Sequence, residues 1–160
     1  MDTGSKRGLA LNNKRLRLLV LCTGNAIRSQ MAEAWFNHLG GDRMQAFSAG
    51  THPAGHVHPL AVEAMAEVGL DLSKAKSKSL RVFLDQPFDY VVTVCDAAAR
   101  SCPTFPGKAT RLHWPFRDPT TTVGDENTRL AAFRDLSHQM RKKIEAFLLE
   151  TASQDEGHRS

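Results

Sequence analysis

Leu18 to Trp35 reads "LLVLCTGNAIRSQMAEAW", an apolar run that breaks at Cys22 into a Gly-Asn turn, an arginine and then a helix-like stretch. The run Arg17 to Cys22 ("RLLVLC") has the pattern of a strand buried on both faces of a parallel sheet. From Ser29 to Leu39, apolar residues recur at helical spacing (Met31, Ala32, Trp35, Phe36, Leu39), and Gly40-Gly41 ends the run. Strand, loop and helix in direct succession form the first unit of an α/β fold. Backbone N–H groups in such a loop converge on one point, and the helix N-terminus adds positive potential there.

The same grammar continues along the chain. "MQAFSAG" (Met44 to Gly50) is a second short strand, and Leu60 to Val68 a helix with Ala61, Ala64, Met65 and Val68 on one face, closed by Gly69. Asp89 to Cys95 ("DYVVTVC") is a third strand and Ala109 to His113 a weak fourth. From Glu126 to Leu149 a long amphipathic helix carries Leu130, Phe133, Leu136, Met140, Ile144, Phe147 and Leu148 on one stripe. Strands alternating with helices predict an α/β three-layer sandwich, a central four-stranded parallel sheet flanked by helices. Ligands of such sheets bind at the carboxyl ends of the strands. Cys22 and Cys95 both end strands, so both are expected to face one crevice despite the 72 residues between them.

The 160 residues fit one domain, read as a basic N-terminal extension (1–16), a single domain (17–150) and a flexible polar tail (151–160). The formal net charge is +4, and five of the 21 basic residues (Lys6, Arg7, Lys14, Arg15, Arg17) crowd the start. No aromatic-interleaved basic stripe accompanies them, which argues against nucleic acid as partner, whereas a mild positive field suits a small anion. No apolar run approaches the roughly 18 residues needed to cross a bilayer, and Met1 to Lys14 lacks an apolar signal core. The expected setting is the cytoplasm, with a monomer and no membrane contact. There thiols stay reduced, and an odd count of three cysteines argues against a structural disulfide framework.

The loop Thr23, Gly24, Asn25, Ala26, Ile27, Arg28 therefore reads as an oxyanion cradle. Gly24 lets the backbone curl close to a ligand, and Asn25 tolerates left-handed φ and braces the loop. Arg28 offers a planar fork for two oxygens of a tetrahedral anion. That setting favours Cys22 as a thiolate, with Ser29 placed to donate a hydrogen bond to the sulfur. A thiolate beside such a cradle is equipped to attack phosphorus or arsenic. A bare Cys-x5-Arg arises by chance. A strand, then Cys-x-Gly-Asn-x-x-Arg-Ser, then a helix carrying Met31-Ala32-Glu33 is far more specific.

This pattern resembles the low-molecular-weight protein tyrosine phosphatases, whose signature loop is Cys-x5-Arg-Ser. Within that superfamily, phosphatases carry Asp-Pro-Tyr on the C-terminal side, the Asp as general acid. Here the triplet is Asp118-Pro119-Thr120, so the acid is present and the aromatic is missing. "VVTVCDAAARSCP" sets Cys95 and Cys102 seven residues apart, and with "HWPFRDP" (His113 to Pro119) it is similar to the thioredoxin-coupled arsenate reductases. The resemblance implies no bound cofactor, arsenate or a phosphate-like oxyanion as substrate, arsenite as product, and an external dithiol, thioredoxin, as transient partner. It further implies a relay: Cys22 attacks arsenate held by the loop and Arg28 while Asp118 protonates the leaving oxygen, Cys95 attacks Cys22, and Cys102 attacks Cys95. Two rival classes share parts of this set, a phosphatase needing only Cys22, Arg28 and Asp118, and a non-catalytic As(III)-binding protein using the three thiols.

Spacing bears independently on the cysteine pair. If Cys95 to Cys102 is helical, seven residues turn roughly 700° and rise about 10.5 Å, so the thiols share a face but exceed the ~7 Å Cα separation of a disulfide. A bridge then requires the segment to unwind, which small, polar "DAAARS" followed by Pro103 makes easy. Some members of the resembled family bind K⁺ through an Asn, a Glu, a Ser and a later loop. Asn25, Glu33 and Ser48 match the first three, but the loop reads "SKAKSKSL", and the expectation is that the Lys76 ammonium replaces the ion. "HPAGHVHP" (His52, His56, His58) lacks other ligands at metal spacing and reads as a plain surface loop, with no metal site.

Overall fold

The computed structural model describes residues 15–159, with side chains described through Ser153; the basic extension falls outside it except for Arg15 and Leu16. Four strands form one parallel sheet in the order β2-β1-β3-β4: β1 (Leu16–Cys22), β2 (Met44–Gly50), β3 (Tyr90–Thr93) and β4 (Thr110–His113). Four helices surround it: α1 (Arg28–Gly40), α2 (Pro59–Glu67), α3 (Asp96–Arg100) and α4 (Glu126–Arg159). This is the three-layer α/β sandwich expected from the alternation of patterns.

Leu18 to Leu21 on β1 have no solvent exposure, as a central strand covered on both faces demands. The chain leaves β1 toward β2 on one side and returns to β3 on the other, so β1 and β3 flank the switch point where such sheets bind ligands. Register aligns Cys22 with Gly50 and Leu21 with Thr93, bringing the carboxyl ends of three strands level. Every stripe residue of α4 from Leu130 to Leu148 is buried. Trp35 of α1 donates its indole N–H to Ser137 of α4 at 3.0 Å, and Arg134 of α4 grips Glu67 of α2 through two bonds of 2.7 and 2.8 Å.

Three elements differ from the sequence reading. Val68, expected on the buried face of α2, caps the helix instead and is 45% exposed, because the turn to Gly69 (φ 83°) carries it out of the helical register. The α4 backbone continues through Arg159, over the segment expected as a flexible tail; no proline interrupts 150–159. The segment between Cys95 and Cys102 is helical only over the five residues of α3, with Cys95 extended before it (φ −144°, ψ 157°) and Cys102 beyond the capping Ser101.

Candidate active site

The loop from Cys22 to Arg28 is moored from outside by its own carbonyls. The oxygens of Cys22, Thr23, Gly24 and Ala26 accept the N–H groups of Thr51, His52, Ala54 and His58 at 2.8–3.1 Å. Ser77 Oγ adds a second bond to Gly24 O at 2.9 Å, and Ile27 caps α1 with its carbonyl on Met31 N–H. Peptides whose carbonyls are tied on the outside turn their N–H groups inward, the geometry of an anion nest. The left-handed residue is Asn25 (φ 49°), as its tolerance for that region suggests. Gly24 has no such φ, and a Cβ there makes ordinary contacts with Ala54 at 3.6 Å and Ala26 at 4.0 Å; the close approach lies at Gly50, where a Cβ would stand 2.5 Å from Thr23 O. The sequence reading took Gly50 merely as a strand end and missed it as the wall of the loop.

Cys22, 3% exposed, has two polar neighbours at its sulfur: Asn25 N–H donates to Sγ at 3.1 Å, and Ser29 Oγ lies 2.8 Å away. Asn25 Nδ2 donates to that same Ser29 oxygen at 2.7 Å, so the Ser29 proton is left for the sulfur. Asn25 is fully buried and its side-chain capacity is filled: Nδ2 also donates to Ser48 Oγ (3.0 Å), while Oδ1 accepts from Gln30 Nε2 (2.9 Å) and Lys78 N–H (2.7 Å). Gln30, buried and bonded also to Lys76 O (2.8 Å), was missed; a neutral amide beside the Arg-Ser pair was its only signal.

The polar chain continues through Ser48, whose hydroxyl donates to Glu33 Oε1 at 2.5 Å, to Lys78 Nζ at 3.9 Å from the same oxygen. Burial pushes the Glu33 carboxyl up, against the lowering pull of Ser48 and Lys78. Here the structure corrects the sequence reading: the ammonium beside Glu33 belongs to Lys78, which also donates to Lys76 O at 3.0 Å, while the Lys76 side chain is exposed. Lys78 is also tied to the loop through its backbone: its N–H donates to Asn25 Oδ1 and its carbonyl accepts Gly50 N–H. A cationic side chain at this position does not fit a potassium ion as well.

Arg28, first residue of α1, donates through Nη1 to Phe116 O at 3.0 Å, and its Nη2 lies 3.9 Å from Asp118 Oδ2. Asp118 accepts from Thr120 N–H (2.9 Å) and Thr120 Oγ1 (2.7 Å). Burial pushes its carboxyl up, but those two bonds with Arg28 and His58 outweigh it, and the net shift is downward. His58, read as part of a plain surface loop, instead caps α2 by accepting Leu60 N–H at 3.1 Å and lies over Phe133 at 4.9 Å. Burial pushes its imidazole down, with Arg129 and His56 acting in the same direction.

Cys95, 8% exposed, lies against the loop, its Sγ 3.4 Å from Thr23 Oγ1. Cys102 is half-buried at the far end of α3; burial pushes its thiol up, and nearby Arg111 opposes this. All three cysteines are free. The structure thus gathers Cys22, Arg28, Ser29, Cys95 and Asp118 around one loop and keeps Cys102 one helical turn away. Among the described residues no group of three or more His, Cys, Asp or Glu is arranged to hold a metal, and no helix is long and apolar enough to cross a membrane.

Comparison with known proteins agrees with this geometry. The chain is 42% identical to an arsenate reductase of Halalkalibacterium halodurans over 135 residues, 84% of this chain and 96% of the relative. A solved arsenate reductase in its phosphate-binding state superposes with a TM-score of 0.68 at 26% identity, covering 84% of this chain and 98% of that one. A thioredoxin-dependent arsenate reductase of Corynebacterium glutamicum matches with a TM-score of 0.61 at 29% identity, over 91% of this chain and 72% of its own. The family model described as low molecular weight phosphotyrosine protein phosphatase matches residues 17–156, and the chain belongs to that family.

Proposed function

We propose that this protein is an arsenate reductase that uses Cys22, Cys95 and Cys102 in a thiol relay, in the cytoplasm and with thioredoxin as external reductant. The observation that carries this reading is Cys95 lying against Thr23 of the anion loop, with a third free thiol at the other end of a five-residue helix. A phosphatase has no use for either.

In the first step the Cys22 thiolate attacks arsenic, with the anion held by the loop N–H groups and Arg28, and Asp118 protonates the departing oxygen. Free Asp118 is held low by Thr120 and Arg28 and is ionised at neutral pH. An arriving dianion draws Arg28 away and puts negative charge beside the carboxylate, and both changes raise its proton affinity into a useful range. Cys95 then attacks Cys22 Sγ. The sulfur–arsenic bond breaks with its electron pair on arsenic, arsenite leaves, and a Cys22–Cys95 disulfide remains. Cys102 next attacks Cys95 and frees Cys22, and the Cys95–Cys102 disulfide is reduced by the external dithiol.

The test is arsenate-dependent NADPH oxidation coupled through thioredoxin and its reductase. Wild type should turn over continuously. Cys102→Ser should release no more than one arsenite per chain and stop; continuous turnover by that variant would sink the relay. The phosphatase reading keeps one observation, the Cys22–Ser29–Asp118 set around Arg28, so weak hydrolysis of phosphate monoesters is expected beside the main activity.

A further inference from the structure

His113, at the end of β4, uses both ring nitrogens on the segment that carries Cys95. Its Nδ1 lies 2.8 Å from Thr93 Oγ1 and 3.2 Å from Thr93 O, and its Nε2 lies 2.9 Å from Oδ1 of Asp96, the first residue of α3. One ring therefore ties the helix between the two outer thiols to the ends of β3 and β4. The other ties on α3 are few. Ala98 is its buried residue, and a cavity of about 160 Å³, lined by Thr93, Ala99, Cys102, Arg111 and His113 among others, opens beside it. A helix of one turn has almost no stability of its own, so side-chain ties decide whether it stays formed. The backbone around His113 is fixed independently, by Trp114 N–H on Thr93 O (2.8 Å) and Phe116 N–H on Val94 O (3.2 Å). Losing the ring therefore leaves the sheet in place.

We propose that His113 is a positioning residue of the thiol relay: through Asp96 it latches α3 closed, with Cys95 against the anion loop, and sets how readily the segment opens to form the Cys95–Cys102 bond. This rests on the relay reading above. In the step concerned, the Cys102 thiolate attacks Cys95 Sγ of the Cys22–Cys95 disulfide; that bond breaks with its electron pair on Cys22, and the Cys95–Cys102 bond forms without another oxidant. The latch exists only while α3 is wound. It therefore stabilises the dithiol form, and removing it leaves the Cys95–Cys102 disulfide harder for an external dithiol to reduce.

The experiment compares full-length wild type with His113→Ala, Asp96→Ala, the double variant and His113→Gln, whose amide keeps a donor for Asp96. Each is equilibrated in dithiothreitol redox buffers, and the Cys95–Cys102 disulfide is quantified by alkylation and peptide mass mapping. Amide hydrogen exchange is followed over residues 97–101, and hydrolysis of p-nitrophenyl phosphate monitors the Cys22 site. Each alanine variant should shift the equilibrium toward the disulfide about fivefold, the range of one partly exposed charged hydrogen bond, and speed exchange in α3 by a similar factor. The double variant should go no further than either single one, His113→Gln should recover most of the loss, and the hydrolysis rate should hold. Additive single effects, which a mere helix-end charge at Asp96 would give, or an unmoved equilibrium in variants that form the disulfide normally, would overturn the latch. Failure of wild type to form a Cys95–Cys102 disulfide at all would instead bring down the relay reading, and the latch with it.

Discussion

Asn25 holds more of the site together than Cys22 does. Its backbone is left-handed (φ 49°), its N–H reaches Cys22 Sγ, and its side chain joins Ser29, Ser48, Gln30 and Lys78 without a spare donor or acceptor. Asn25→Ala leaves those buried partners unpaired and sets a Cβ-bearing residue without an amide brace at positive φ. The expected loss is about 2–4 kcal/mol of unfolding free energy in urea titration, with a matching change in the rate at which Cys22 reacts with iodoacetamide. Glu33 and Asp118 give opposite pH signatures. Asp118, held low, contributes stability that is present above the pKa of an unfolded carboxyl and is lost as pH falls through the folded one. Glu33, raised by burial, contributes the reverse: the fold prefers its neutral form, so stability declines as pH rises from the unfolded toward the folded value. Glu33→Gln keeps an acceptor for Ser48 and removes the titration. Its stability relative to wild type should therefore climb as pH rises above the range of an unfolded carboxyl, and a difference that stays flat with pH would contradict the assignment.

Among the elements, strands and long helices were legible because one pattern determines each: a continuous apolar run for β1, a 3.6-residue stripe for α4. What could not be read was register between distant segments. The loop from Lys74 to Ser79 offers three lysines, and nothing local distinguishes them; only the fold shows that Lys78 reaches Glu33 while its backbone ties to Asn25 and Gly50. Gly50 is indispensable because a Cβ there would meet Thr23 O, while Gly24, the more conspicuous glycine in the sequence, tolerates one. Likewise the seven-residue cysteine spacing suggested two helical turns, but Cys95 leaves β3 still extended, and only five residues remain to wind before Ser101. With Lys78 Nζ 3.9 Å from Glu33, the ion-like charge is covalently supplied. Steady-state rates should accordingly be equal, within about 20%, in KCl and NaCl at fixed ionic strength, whereas Lys78→Ala should become sensitive to that exchange of cations. A clear K⁺ stimulation of wild type would show that Lys78 does not fill the place.

At the scale of the molecule, the order β2-β1-β3-β4 divides the chemistry into two parts that meet at the carboxyl edge of the sheet. Cys22, Ser29 and Arg28 come from the end of β1 and the start of α1; Cys95 and Cys102 flank α3, where the chain leaves β3. The rule that parallel sheets bind ligands at strand ends was enough to place Cys22 and Cys95 together before any coordinates, because both follow adjacent strands. It said nothing of Asp118, which reaches Arg28 only through the run from His113 to Phe116 alongside Thr93 and Val94. The division predicts separable activities. Phosphate monoester hydrolysis requires Cys22, Arg28 and Asp118 alone, so Cys95→Ser and Cys102→Ser should retain it within about threefold, whereas Asp118→Asn should lower it by about 10²-fold or more and Cys22→Ser should abolish it. Arsenate reduction needs both parts, so every one of the three cysteine substitutions should end multiple turnover. If Cys95→Ser instead lost phosphate hydrolysis along with arsenate reduction, the sulfur beside Thr23 would be a structural prop of the anion loop, and the two parts would be one.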